Sequence, residues 1–301
     1  MTEIIEAKRT PAGPTATNVL AAPIGPDASP RSVGPFAVVA HFRMPAIPPG
    51  ALPVDADVRP HPHIGLAAIS YVLEGALTHR DSLGNRSELV EGDLGLTVGG
   101  RGVVHSERFE RVRLHGGAFD MFQLLVALPD GAEDVEPSFL RLASGDIPTS
   151  SGAGTIARWL LPAPPELPPG LPMSTPMLLA HVALDAGAAW SVPDVPERAL
   201  YVWAGEVEVG AARVRAGQVA VLGPGDGEAR ALESARLIAF GGASVGPRYS
   251  WWNYMHSSLE RIEAAKAEWR GGRVKLPPGD TESFTPAPAD DGRPLLHLNA
   301  R

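Results

Sequence analysis

The chain has 301 residues with 44% hydrophobic content, enough to bury a substantial core divided between two domains. Its 26 Lys and Arg against 34 Asp and Glu give a net charge of −8 with no concentrated basic run, so a phosphate-binding nucleic-acid surface is not expected. With no cysteine it forms no disulfide, no thiolate metal site and no cysteine nucleophile, which fits a reducing cytoplasm.

The segment Met1 to Ile4 has no basic stretch leading into an apolar core, and no stretch reaches the roughly 18 apolar residues of a membrane span. Secretion and membrane insertion are therefore not expected, and the expected location is the cytoplasm. Gly 33 and Pro 31 are high for a helical protein, and the turn signals after residue 35 predict many short strands in an all-β core. His61 and His63 come first, two positions apart, with Pro62 between them removing a ladder donor and stiffening the edge that presents both rings. Side chains at i and i+2 on a strand share a face. Ile69 to Leu73 reads as a strand and Ser82-Leu83-Gly84-Asn85 as a hairpin tip, with His79 an ordinary strand residue beside it.

His105 and Glu107 form a second pair with the same spacing. If the two strands face each other across a small barrel, three imidazoles and one carboxylate converge on a point that suits one divalent transition metal. Phe122 to Val126 follows as a strand. The run from Pro162 to Pro176 cannot hold a ladder and reads as a stiff connector, dividing the chain into residues 1–160 and 161–301. His41, His115, His181, His256 and His297 carry no partner spacing and read as structural or exposed.

Beyond the connector the pattern repeats. Tyr71-Val72 with Gly75 matches Tyr201-Val202 with Gly205, and Gly92-Asp93-Leu94 matches Gly217-Gln218-Val219, the latter opening the strand Val219 to Leu222. Carried to the ligands, the alignment puts Ser191 and Pro193 opposite His61 and His63, and Arg230 and Leu232 opposite His105 and Glu107, so the second copy has no metal site. Ser257-Ser258-Leu259-Glu260 then carries a capping-box signature, followed by Leu259, Ile262, Ala265 and Trp269 at near-helical spacing and Gly271-Gly272 as a stop, which predicts one helix over 258–270. The tail beyond Gly279 is expected to be irregular and to pack on the first domain.

Several of these stretches together resemble the pirin family of the cupin superfamily: His-Pro-His-Ile-Gly at 61–65, Tyr-Val-Leu-Glu-Gly at 71–75, His-Arg-Asp-Ser-Leu-Gly-Asn at 79–85 and Gly-Arg-Gly-Val-Val-His-Ser-Glu at 100–107. Arg248-Tyr249-Ser250-Trp251-Trp252-Asn253, followed by Ser-x-Glu-Arg-Ile-Glu, extends the resemblance over nearly the whole chain. The resemblance implies two cupin (jelly-roll) β-barrels in tandem with a short C-terminal helix, a metal held in the first barrel by His61, His63, His105 and Glu107, and an empty second barrel. One departure stands beside the site: pirins commonly carry Arg-Gly-Phe-Glu-Thr after the second histidine, whereas this chain has Ile64-Gly65-Leu66-Ala67-Ala68, without either charge.

Three nitrogens and a carboxylate resemble mononuclear non-haem iron sites, which makes iron(II) the first expectation, although nickel, copper, manganese, cobalt and zinc accept the same set. The resemblance implies a quercetin 2,3-dioxygenase-type reaction on a flavonol or similar aromatic with O2, Glu107 being both ligand and base for the flavonol hydroxyl. Leu66, Val103 and Phe122 near the tetrad fit either the wall of an apolar cavity or plain barrel core. As the alternative, it implies a redox-sensing regulator that binds a transcription factor or a metabolic enzyme without turnover; if that strand edge forms the partner surface, Ile64 favours an apolar contact there. A metal-binding barrel with another oxygenase or isomerase substrate is the third reading. A monomer is expected, because one barrel already packs against the other.

Overall fold

The computed structural model describes residues 1–9, 15–20, 32–161, 177–289 and 296–298, with side chains described throughout except at 8–9, 15–20 and 296–298. The chain builds two barrels, each a seven-stranded sheet curled over a four-stranded one, and every strand pair is antiparallel. In the first barrel the large sheet is centred on Leu66–Glu74, Gly117–Ala127 and Phe36–Ile47, and the small sheet runs Val58–His63, Val103–Arg108, Ala76–Asp81, Arg86–Val90. In the second, Glu197–Ala204, Ala235–Gly242 and Met177–Leu184 form the centre of the large sheet, facing a small sheet of Ala189–Ser191, Glu228–Ala231, Glu206–Val209 and Ala212–Arg215. The only helices of more than one turn among the described residues are Glu110–His115 and Leu259–Arg270. The expected all-β tandem of cupin barrels with a short C-terminal helix is thus the observed architecture, and no described helix is long and apolar enough to cross a membrane.

The two large sheets pack face to face. Phe36, Ile69, Tyr71, Phe122 and Leu124 of the first meet Leu179, Tyr201, Ile238 and Phe240 of the second in one buried cluster. Strand alternation then sends Leu178, Ala180, Val182, Leu200 and Val202 into the second barrel. Met177–Leu184 is therefore apolar on both faces and reads as a nearly continuous hydrophobic run. Each fully buried Phe or Leu at such a position stabilises the fold by about 1.5–3 kcal/mol.

Segments cross the boundary expected at 160/161. Glu3–Glu6, Thr149–Gly152 and Thr155–Leu161 are strands of the second barrel's sheet. In return, Arg248–Trp251, Tyr254–His256 and the helix return to the first barrel. The buried Arg248 pairs with Glu133 at 2.9 Å and donates to the carbonyl of Leu128, while Tyr254 bridges to Ile64. Gly65 permits the close approach: its φ is +64°, and a Cβ there would lie 1.8 Å from the carbonyl oxygen of Met255. The helix is capped by Ser258, whose Oγ accepts from Arg261 N at 3.2 Å. Ser257 is drawn instead to Glu133, so the expected box between Ser257 and Glu260 does not form. The helix buries Ile262, Ala265 and Trp269. As expected, the tail packs on the first barrel, through Asp280 to Arg108 and Thr285 N to the carbonyl of Pro60. The connector at 162–176 lies outside the described residues.

The repeat is visible in three dimensions, since Gly75 and Gly205 make the same turn at φ +84° and +77°. Its hairpin is shorter in the second barrel, and that shifts the ligand alignment. Glu107 lies opposite His79, and the matching position Val209 lies opposite Ala229. Ala229, fully buried, therefore takes the place of Glu107, whereas Leu232 is exposed. The expected equivalence with Arg230 and Leu232 is corrected by the register. Among the described residues, the cluster of three or more potential metal ligands lies in the first barrel.

Candidate metal centre

His61 and His63 lie on Val58–His63, and His105 and Glu107 on the neighbouring strand Val103–Arg108, with His61 directly opposite His105 and His63 opposite Val103. The period of two turns both members of the first pair inward. A shift of register between His105 and Glu107 puts the latter opposite Val58 on this side and His79 on the other. All four side chains are buried.

The three imidazoles converge. Nε2 of His105 lies 2.9 Å from Nε2 of His63 and 2.9 Å from Nε2 of His61, and one nitrogen from each ring falls within a 4.8 Å group. Nδ1 of His61 donates to the carbonyl of Arg59 at 2.9 Å, and Nδ1 of His63 donates to the carbonyl of Asn253 at 3.3 Å. Each carbonyl fixes its ring as the tautomer with a bare lone pair on Nε2. Nδ1 of His105 has no hydrogen-bond partner among the described residues, and three neutral imidazoles this close, two with bare Nε2 lone pairs aimed at the same point, form a donor set that fits a metal ion. Burial, partly offset by the Arg59 carbonyl, lowers His61 to about 4; burial and the neighbouring imidazoles hold His63 and His105 well below the usual histidine range. All three are therefore neutral at pH 7, each able to offer a nitrogen lone pair. Burial pushes Glu107 up to about 7, against the smaller effect of the Ser70 hydroxyl.

The cluster closes one side of a cavity of about 410 Å³ whose walls include Val38, Phe42, Phe109, Phe119, Met121 and Leu125. Glu107 lines the same cavity, with Ser70 Oγ 3.4 Å from its Oε1, but its carboxylate stands outside the 4.8 Å group. Trp252, Asn253 and Thr285 complete the wall from the far end of the chain.

Two family models match the chain: the one described as Pirin over residues 18–126, and the one described as Pirin C-terminal cupin domain over residues 179–275. The chain belongs to the pirin family. A "Pirin-like protein" of Caulobacter vibrioides is 41% identical to this pirin over 86% of the chain and 90% of the relative. A Pseudomonas aeruginosa protein named "Putative quercetin 2,3-dioxygenase PA1205" is 30% identical over 82% of the chain and 77% of its own length. Among solved structures, a quercetin 2,3-dioxygenase from Acinetobacter baumannii shares the fold with a TM-score of 0.81 at 22% identity, covering 96% of this chain and 95% of that one. The bacterial pirin YhhW from Escherichia coli, solved in complex with nickel(II), shares it with a TM-score of 0.62 at 15% identity, covering 81% of this chain and 100% of that one.

The pirin fold corrects several expectations around the centre. Leu66, Val103 and Phe122 are packed in the protein interior and do not line the cavity: Phe122 stacks on His41 at 4.3 Å toward the second barrel, while its neighbours Met121 and Gln123 face the cavity. Ile64 and Ala67, which replace two charges common in pirins, are both buried, Ile64 against Tyr254 and Ile262 and Ala67 in the core between barrels. Ile64 therefore offers no partner surface. The ring N–H at Nε2 of His79 donates to the carboxylate of Asp81 at 3.0 Å, and the ring stacks on Phe139 at 3.9 Å and lies edge-on to His105 at 5.3 Å, a structural pin of the hairpin. His41 also has a partner, Asp120 at 2.6 Å. The roles of Trp252, Asn253 and Thr285 in the site had no local signal in sequence, because only the return of the C-terminal segment brings them there.

Proposed function

We propose that this pirin is a mononuclear dioxygenase of the quercetin 2,3-dioxygenase type, acting on a flavonol or similar aromatic with O2, with iron(II) held by His61, His63, His105 and Glu107. The observation that carries the reading is the convergence of three neutral imidazole nitrogens at the wall of a mostly apolar cavity. When bound, the metal would supply a Lewis acid and a redox centre at which an aromatic oxygen and dioxygen meet. Nε2 of each imidazole supplies a neutral ligand, and the Arg59 and Asn253 carbonyls keep two of the rings in that tautomer. Glu107 is the fourth ligand, and its carboxylate oxygen takes the proton of the flavonol hydroxyl. Phe42, Phe109, Phe119 and Met121 exclude water from the bound ring system. The Pseudomonas relative named for this activity supports the substrate class. On this reading the protein works as a cytoplasmic monomer.

The test is oxygen uptake together with loss of flavonol absorbance on quercetin, using apo-protein reconstituted separately with iron, nickel, copper and manganese. Turnover that depends on metal and vanishes in His63→Ala is expected. Stoichiometric metal binding without turnover on any metal would overturn the dioxygenase reading and favour the redox-sensing regulator.

A further inference from the structure

Gln123 is an amide in an otherwise apolar strand face. On Gly117–Ala127, Met121 and Leu125 flank it toward the cavity, while Phe122 and Leu124 turn the opposite way into the core between the barrels. A polar side chain in such a wall costs free energy unless its donors and acceptors are used. Half of it is used: Ser70, its cross-strand neighbour on Leu66–Glu74, donates its hydroxyl to Gln123 Oε1 at 2.9 Å. Ser70 has one proton, and its other contact, Glu107 Oε1, is longer at 3.4 Å. With Oε1 held, Nε2 is the free end of the amide and has no protein acceptor among the described residues.

The cavity therefore presents a carboxylate acceptor and an amide donor side by side, both within reach of one serine hydroxyl and next to the three imidazoles. The complement of that pair is a flat apolar molecule in which a hydroxyl and a carbonyl oxygen are neighbours. Resting on the flavonol reading above, we infer that Gln123 is a specificity-determining residue: its amide N–H donates to the ligand carbonyl oxygen adjacent to the hydroxyl that meets Glu107. Ser70 is a positioning residue, since it decides which end of the amide faces the ligand.

Calorimetric binding to two probes tests this on the full chain, in both the apo and the metal-loaded form. One is 3-hydroxyflavone, which has adjacent hydroxyl and carbonyl groups; the other is flavan-3-ol, which lacks the carbonyl. Gln123→Leu and the similarly sized Gln123→Met are expected to weaken 3-hydroxyflavone about five- to tenfold, the worth of one neutral hydrogen bond, and to leave flavan-3-ol unchanged. Ser70→Ala loses part of that discrimination and Ser70→Thr restores it. Equal weakening of both probes, or no change in either, would overturn the role of Gln123 while leaving the flavonol reading intact. Wild-type protein that binds neither probe would overturn both. Melting temperature and metal content of each variant separate a lost contact from a damaged fold.

Discussion

The backbone carbonyl of Asn253 lies 3.3 Å from Nδ1 of His63, so a segment from the end of the second half of the chain orients a histidine of the first barrel. The preceding residue, Trp252, walls the cavity and holds φ at +51°, a left-handed conformation that a bulky side chain rarely adopts. The strain fits its position, because the same turn aims the indole at the cavity and the next carbonyl at His63. Trp252→Gly keeps that backbone without strain, whereas Trp252→Val, β-branched, opposes it. We expect Trp252→Gly to hold metal within a few-fold of wild type and Trp252→Val to weaken it about 10–100-fold, the usual effect of disturbing a group that orients a ligand. Competitive titration with a chromophoric chelator reads both affinities; equal values for the two variants would show that the carbonyl does not set the ring.

Metal binding also reports on the ligand set. Free metal at about a hundred times Kd stabilises the native state by about 2.7 kcal/mol, which in a domain of this size moves the melting temperature by roughly 5–10 °C. The shift is expected to disappear in His63→Ala and to shrink in Glu107→Ala. An unchanged shift and affinity in Glu107→Ala would remove the carboxylate from the ligand set and leave the three imidazoles alone.

The imidazole cluster was legible because strand alternation is local: the i, i+2 spacing of His61 and His63 already fixes a common face. The hairpin at Ser82 to Asn85 and the helix at Leu259–Arg270 were legible for the same reason, each marked by its own turn or cap residues. What sequence could not supply was which face of each strand meets which neighbour. Phe122 and Met121 are adjacent and both apolar, yet one packs between barrels and the other lines the cavity. Likewise Ile64 looked like an uncharged surface position until the C-terminal segment was seen to cover it. Long-range return of the chain carries no local pattern.

His181 provides a pH dependence away from the metal. Its Nδ1 accepts from the hydroxyl of Tyr71 at 3.0 Å across the barrel interface, and burial, with Arg158 and Arg236 adding to it, lowers its pKa to about 4. Burial raises Tyr71 to about 12, so the phenol keeps the proton it donates. The unfolded chain binds a proton at this histidine near pH 6.5, and the folded chain does not until about pH 4. Stability is therefore full above about 6.5 and falls as pH drops through the window to 4, by at most about 3 kcal/mol. His181→Gln is expected to flatten that part of the profile, measured by urea unfolding of the chelator-treated protein beside a chelator-treated wild type. A variant curve parallel to wild type between pH 6.5 and 4 would mean that His181 does not titrate there as burial dictates.

The tail fastens both strands of the histidine cluster from outside. Asp280 takes the guanidinium of Arg108 and the hydroxyl of Ser106, which stands between His105 and Glu107. Five residues later, Thr285 donates its N–H to the carbonyl of Pro60 at 2.9 Å and its hydroxyl to that of Arg59, just before His61. Phe284 meanwhile packs edge-on to Trp269 of the helix at 5.2 Å. Asp280→Ala leaves Arg108, largely buried, with only Asp57 at 3.5 Å, an ion pair too long to replace two direct bonds. The cost expected is about 1–3 kcal/mol of global stability. The tail keeps its bonds at Thr285 and the pairing of Leu296–Leu298 with Arg248–Ser250, so the same change is expected to loosen the stretch between Gly271 and Thr285 before the barrel unfolds, exposing it to protease and weakening metal binding several-fold. Asp280→Asn, which still accepts from Ser106, falls between. Limited proteolysis under native conditions, followed by mass analysis of the fragments, decides the matter. Loss of global stability with no earlier cleavage of the tail would show that Asp280 holds the barrel and the tail as one unit, and that the tail does not open on its own.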